Sequence, residues 1–253
     1  MKFFYKDLVI SKKQKSGRNR KGQICVRRRQ GGRSSLYRKI NFNLSFRRKD
    51  NYQLVRIEYD PNRSAFIGLL YNFRNRKFHY ILLPEGLSLN EFILNFSELN
   101  FKRKPGFRSV LEDFSMGSFI HNISLYTSGH GILCRSRGSF AKILQKGIKN
   151  NYVRIRLPSG EERLVHRFCK ATLGKVCSIK KSVKKKNAGW SRRMGNRPCV
   201  RGVAMNPVDH PHGGGEGRTS GGRCSVSPWG KLTIGKPTVF KKKQMITRSR
   251  KQL

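Results

Sequence analysis

The chain has 253 residues, of which 56 are Lys or Arg and 13 are Asp or Glu, for a formal net charge of +43. A free globular body with that self-repulsion is destabilised as it compacts, so the composition excludes a protein that lives without a polyanion and points to nucleic acid. No run approaches the roughly 20 consecutive apolar residues that cross a bilayer, and residues 1–10 are too short and too interrupted by Lys2, Lys6 and Asp7 for a signal peptide, so no membrane span is expected.

In chain order, residues 1–35 come first as a basic arm, with 12 cationic side chains and one acid, Asp7. The apolar residues concentrate in 36–180, where period-two alternation is frequent and helical periodicity is scarce. Across 53–59, Val55, Ile57 and Tyr59 share one face, opposite Arg56 and Glu58. Asp60-Pro61-Asn62 then reads as a turn. Residues 65–71 are almost continuously apolar, as in a strand buried on both faces. Residues 78–83 alternate and end at the turn Pro84-Glu85-Gly86. Further on, Phe119, His121, Ile123 and Leu125 share a face, and so do Val153, Ile155 and Leu157. Leu157-Pro158-Ser159-Gly160-Glu161 is a tight turn, followed by Leu164, His166 and Phe168 on one side and Val165 and Arg167 on the other. Short strands between Gly/Pro turns predict a mainly β chain with two small barrels, 36–110 and 111–180. Residues 181–253 dissolve into Gly, Pro, Lys and Arg, with 18 cations against Asp209 and Glu216, and read as an extended tail. Neither arm carries enough apolar surface to fold alone, and both are expected to order only on RNA.

Cysteines stand at 25, 134, 169, 177, 199 and 224, with no C-x2-C or C-x4-C spacing. A zinc ribbon and a disulfide framework are therefore not expected; reduced thiols in a reducing compartment are.

One stretch carries more information than the rest: Arg201-Gly202-Val203-Ala204-Met205-Asn206-Pro207-Val208-Asp209-His210-Pro211-His212-Gly213-Gly214-Gly215-Glu216-Gly217-Arg218. The two X-Pro steps keep the backbone out of helix. Gly213, Gly214 and Gly215 would let peptide N–H groups approach a phosphate or base edge, and Arg201 and Arg218 would flank the loop with charge suited to bidentate phosphate contact. This stretch resembles, almost residue for residue, the signature of the universal large-subunit ribosomal protein L-two family.

The likeness continues at Gly17-Arg18-Asn19-Arg20-Lys21-Gly22, Leu36-Tyr37-Arg38-Lys39-Ile40, Arg56-Ile57-Glu58-Tyr59-Asp60-Pro61-Asn62-Arg63-Ser64, and Arg154-Ile155-Arg156-Leu157-Pro158-Ser159-Gly160-Glu161. Gly117 to Asn122 and Ala171-Thr172-Leu173-Gly174-Lys175-Val176 extend it, and Arg197-Pro198, Val200-Arg201-Gly202 and Pro228-Trp229-Gly230 bracket the signature. Only 16 residues precede the match at Gly17, fewer than is usual for the family. Gly31-Gly32-Arg33 is shorter than the family's Gly-rich His-Lys element, and Gly129-His130-Gly131-Ile132-Leu133-Cys134-Arg135 keeps the Arg of the family's Gly-Lys-Gly-Gly-Gln-Leu-Ala-Arg loop without its Lys.

The resemblance implies an OB-type barrel, then an SH3-like barrel, and a tail reaching into large-subunit rRNA. It implies a structural constituent that helps assemble the peptidyl transferase centre and supports subunit association and tRNA placement. The expected partners are large-subunit rRNA, neighbouring ribosomal proteins and the small subunit at the intersubunit face. On the matched segments the expected rRNA contacts are Arg18, Arg20, Arg38, Arg63 and Arg135. Towards the C-terminus they are Arg192, Arg193, Arg197, Arg201, Asn206, His210, His212, Gly213, Gly214, Gly215, Arg218 and Trp229. No intrinsic cofactor is expected; Mg2+ would come with the bound rRNA.

Asp209, His210, His212 and Glu216 are also the residue types of a metal or acid–base site. A zinc hydrolase, however, needs ligands held on rigid elements with oriented histidines, and a Gly/Pro loop does not supply that. A histone-like DNA protein would need a bending wedge or a repeated dimer surface, and neither is visible. Enrichment in Phe, Lys, Asn and Ile, with no presequence, points to a product made inside an organelle, a mitochondrion first, with a plastid or a reduced bacterium as alternatives.

Overall fold

Alternating apolar residues between Gly/Pro turns give short strands, because each strand buries one side chain in two and must stop where the turn chemistry intervenes. The computed structural model describes residues 5–12, 16–43, 51–94, 104–148, 151–179, 187, 189–217, 219–235 and 245–249. β1 (Val9–Lys12) pairs antiparallel with β2 (Ser35–Arg38). β3 (Asn51–Glu58), β4 (Ile67–Asn72), β5 (Lys77–Leu82) and β6 (Phe92–Leu94) form an antiparallel sheet in the order β5-β4-β3-β6. β7 (Arg108–Val110), β8 (Phe119–His121), β9 (Ile123–Ser124), β10 (Gly131–Leu133), β11 (Ala141–Ile148), β12 (Tyr152–Arg156), β13 (Glu162–His166) and β14 (Lys170–Leu173) follow. After the five-residue helix α1 (Gly189–Arg193), β15 (Ile246–Arg248) completes a seven-stranded sheet ordered β15-β13-β12-β11-β8-β14-β7, while β9 pairs with β10. The chain is mainly β, with curled, barrel-type sheets in the expected order: an OB-type barrel, then an SH3-like one.

β4 is buried on both faces as its apolar run predicts, with Ile67, Leu69 and Leu70 inaccessible. β3 alternates as read, but the apolar face is the outer one: Val55, Ile57 and Tyr59 are exposed, while Leu54, Glu58 and Asp60 are buried. The inward carboxylates are tolerated because each is partnered. Glu58 accepts from the Tyr80 hydroxyl (2.8 Å) and from Arg56 (2.7 Å), and burial together with that bond pushes Tyr80 up to about 12. Asp60 accepts from Arg63 Nε at 2.6 Å and from the Asn62 amide at 2.9 Å, which is the Asx turn expected at Asp60-Pro61-Asn62.

In the second barrel Val153 and Ile155 are buried as expected, but on β13 the buried apolar residue is Val165 and not its neighbour Leu164, and His166 is only half-buried. β8 breaks at Asn122, whose φ of 50° re-aims the chain, so Ile120 and His121 are both buried where Phe119 is exposed. His121 lies beside buried Arg108. Burial, with a smaller contribution from Arg108, holds its imidazole down at about 4 against the bond to the Gly174 carbonyl. The Leu157–Glu161 turn closes with Gly160 N–H donating to Leu157 (3.0 Å) and Leu157 N–H to Glu161 (2.9 Å).

The chain divides into two compact units. β7 pairs with β14, which ties Arg108–Val110 to the second barrel's sheet. One unit comprises Met1–Lys12, Ser35–Val183 and Gln244–Leu253, and holds all three hydrophobic clusters. The other comprises Lys13–Ser34 and Lys184–Lys243, drawn from both arms. The chain ends leave the arms because β1 finds β2 and β15 finds the open edge of β13.

Candidate nucleic-acid interface

The second unit concentrates the charge: 23 Lys and Arg against Asp209 and Glu216. Among its described residues Val226 is the only buried apolar side chain, so main-chain hydrogen bonds hold it together. The first segment folds on itself around Gly17, whose carbonyl accepts from Cys25 (2.8 Å) and Val26 (3.0 Å). Asn19 and Gln23 exchange main-chain and side-chain bonds, and Arg18 reaches back to the Gly22 carbonyl at 2.6 Å. Arg18 and Arg20 are exposed on this loop.

The two segments are joined by a ladder: Gln30 N–H to Gly195 O (2.9 Å), Arg33 N–H to Arg193 O (2.7 Å) and Arg197 N–H to Arg28 O (3.0 Å). Gly32 permits this approach, since a Cβ there would lie 2.5 Å from the Arg193 carbonyl oxygen. The ladder fixes the main chain of the expected contacts Arg192, Arg193 and Arg197 and leaves all three side chains exposed. It also brings up Arg27, Arg28, Arg29 and Arg33, which are not among the contacts expected from the sequence. The uninterrupted Arg27-Arg28-Arg29 run is the signal that could have found them.

Arg201 is exposed at the start of a 3-10 turn, Gly202–Ala204. Beyond it the signature folds tightly: the His210 amide donates to Asn206 O (3.3 Å), Gly213 to His210 O (2.8 Å) and Gly214 to Met205 O (3.1 Å). The expectation that this Gly run offers its N–H groups to phosphate is therefore corrected at Gly213 and Gly214, whose amides are used internally. Glycine is required for another reason. A Cβ at Gly213 would meet Asn206 O at 2.4 Å and Met205 O at 2.5 Å, while Gly214 and Gly215 hold φ of 89° and 99°. Asn206 is exposed; His210 is buried and His212 partly so. Their rings lie edge to face with centroids 5.1 Å apart. The His212 amide donates to His210 Nδ1 at 3.0 Å, and the Val226 amide donates to His212 Nε2 at 3.1 Å.

Val226 begins a small hairpin. It bridges to Leu232; Ser227 N–H donates to Lys231 O (2.8 Å) and Gly230 N–H to Ser227 O (2.9 Å). Pro228-Trp229-Gly230 form the tip, Gly230 supplying a φ of 73°. Trp229 is 66% exposed, with the Arg27 guanidinium 6.0 Å from its ring centroid, so an aromatic face and a cation are presented together. Arg218 lies outside the described residues.

The other three expected contacts belong to the barrel unit. Arg38 is buried, its guanidinium 3.9 Å from Asp60, and Arg63 is bonded to the same carboxylate. Both serve an internal charge, which leaves little of Arg38 for a phosphate. Arg63 and Arg135 flank Phe42 at 5.7 and 4.6 Å and line an open cavity of ≈ 760 Å³ with Tyr37, Asn62 and Ser64.

Among the described residues no group of three or more His, Cys, Asp or Glu could hold a metal ion, and no helix is long and apolar enough to cross a membrane. All six cysteines are free thiols, and burial pushes Cys134 up to about 12.

The family model described as "Ribosomal Proteins L2, RNA binding N-terminal domain" matches residues 5–95, and "Ribosomal Proteins L2, C-terminal domain" matches 104–230. The chain is 44% identical over 236 residues to large ribosomal subunit protein uL2 of Anaplasma marginale (strain Florida), covering 92% of this chain and 82% of that protein. It is 44% identical over 240 residues to that of the Wolbachia of Brugia malayi (94% and 85%), and 45% identical over 238 residues to that of Methylocella silvestris (92% and 82%). With both family models matched in order and a shared length this great, the chain belongs to the L2 family of large ribosomal subunit proteins.

Proposed function

We propose that the chain is a structural constituent of the large ribosomal subunit that binds large-subunit rRNA and supports assembly of the peptidyl transferase centre, subunit association and tRNA placement. The observation that carries this is the second unit: 23 cations and two acids on a body with one buried apolar side chain among its described residues. Such a body gains most of its stability from counter-charges, and rRNA phosphates supply them at high density. Neighbouring ribosomal proteins and the small-subunit face are the other partners of this reading, with Mg2+ accompanying the RNA. On the same reading the chain works in a mitochondrial ribosome, an assignment supported by its Phe-, Lys-, Asn- and Ile-rich composition.

No chemistry of its own is assigned to the chain. A general base needs a bare lone pair within about 3 Å of the attacking amine, and His210 Nδ1 already accepts a main-chain N–H. Reconstitution tests the proposal. Arg201→Ala or Arg218→Ala should impair large-subunit assembly more than the peptide-transfer rate of the particles that do assemble. The opposite ordering would restore a catalytic reading.

A further inference from the structure

We propose that His210 and His212 are a matched pair of positioning residues, held in opposite tautomers as hydrogen-bond acceptors, which lock the signature loop to the Trp229 hairpin. This deepens the rRNA-binding reading and rests on it.

The argument starts from what an imidazole nitrogen must be in order to accept. A nitrogen receiving an N–H carries no proton itself, so a neutral ring bears its single proton on the other nitrogen. His210 accepts at Nδ1 from the His212 amide, which places its proton on Nε2. His212 accepts at Nε2 from the Val226 amide, which places its proton on Nδ1. Two histidines two residues apart are thus held in opposite states, each by a main-chain donor.

The surroundings are cut to fit both rings. A Cβ on Gly202 would stand 2.5 Å from His210 Nδ1 and Cε1, and a Cβ on Gly221 would stand 2.6 Å from His212 Nδ1. Glycine at each position leaves room for an imidazole that a methyl group would displace.

The two bonds run in series. The turn at Gly202–Ala204 packs on His210, His210 holds the His212 amide, and His212 holds Val226. Val226 in turn bridges to Leu232 across the hairpin that carries Trp229. The exposed indole is therefore placed relative to the Arg201 loop by two imidazole acceptors, in a unit whose only buried apolar side chain, among its described residues, is Val226. Both bare nitrogens are consumed in the process, so neither is left to ligate a metal or take a proton from a substrate.

Side-chain amides separate this role from any other. Asn places a carbonyl oxygen near the position of His Nδ1, and Gln places one near Nε2. In full chains taken through large-subunit reconstitution, His210→Asn and His212→Gln should incorporate within about threefold of wild type. The swapped pair, His210→Gln and His212→Asn, should fall by about tenfold or more, as should alanine at either position, because a buried donor then loses its partner. Equal behaviour of Asn and Gln at either position, or tolerance of alanine, overturns the proposal.

Imidazole 15N NMR of the chain, free and bound to an rRNA fragment, reads the tautomers directly and decides the matter should every variant fail to fold. The expected result is Nε2–H for His210 and Nδ1–H for His212; the same tautomer in both, or averaging in both samples, overturns it. A wild-type chain that ignores rRNA while showing the opposed tautomers would refute the rRNA reading and leave the acceptor pair standing.

Discussion

Replacing Gly202 with alanine isolates the packing against His210. The backbone there needs no left-handed φ, so the substitution adds a methyl group and little else. That methyl would lie 2.5 Å from two ring atoms and 2.7 Å from a third, whereas ordinary contact is about 3.5 Å or more. The ring must shift by roughly 1 Å, which stretches the 3.0 Å bond from the His212 amide beyond hydrogen-bonding range. Over-packing costs about 1–3 kcal/mol and the lost bond about 1 kcal/mol, while the stiffer unfolded chain returns about 0.4–1 kcal/mol. The net loss is roughly 1–3.5 kcal/mol, or about 5- to 400-fold in the local opening equilibrium. Hydrogen exchange at the His212 and Val226 amides, measured on the rRNA-bound chain, should accelerate by that factor. Gly189→Ala is the control, because its Cβ meets only Asn187 Oδ1 at 3.8 Å. Unchanged protection of His212 in Gly202→Ala would refute the reasoning.

The second barrel should weaken in mild acid. His121 is held down at about 4 in the folded protein against about 6.5 unfolded. Its contribution is therefore fully present above pH 6.5 and is lost as pH falls towards 4, by up to roughly 3 kcal/mol. Thermal melts of wild type and His121→Gln across that window should converge on acidification, and parallel curves would contradict this. Asp60→Ala should cost about 3–5 kcal/mol in a denaturant titration, because Arg63 and Arg38 would lose their buried carboxylate; a near-neutral result would mean the pair is dispensable. In rRNA binding measured against salt, Arg192→Ala or Arg193→Ala should lower the log–log slope by about 1 each. Arg38→Ala should leave that slope unchanged, and a drop there would place Arg38 on the RNA.

Most of the strands are legible because Gly/Pro turns punctuate alternating runs, and turns such as Leu157–Glu161 form where the sequence predicts them. The sense of the alternation is not legible on β3, where apolar residues face outward. Asp60 finds Arg63 within its own turn, but buried Glu58 and Asp60 also depend on Tyr80 and Arg38, which lie far along the sequence and become partners only in the fold. For the same reason the pairing of Arg38 is not legible: nothing local marks an arginine that lies beside a carboxylate remote in sequence. The signature loop stands out at once, but the purpose of its glycines does not. A Gly run reads alike whether it admits a phosphate or another stretch of main chain, and Gly213 admits Met205 and Asn206. The joining of the arms through Gln30, Arg33 and Arg197 involves main-chain groups, which carry no side-chain signal.

β15 has a consequence for how the chain is made. Ile246–Arg248 zips onto β13 only after about 80 intervening residues have left the exit tunnel, so the nascent barrel waits with one flank unpaired while its most cationic stretch is still being translated. A chain cut before Ile246 would keep every arginine of the second unit yet carry a bare strand along β13. Its defect would surface as clumping or proteolytic clearance before any ribosome could reject it.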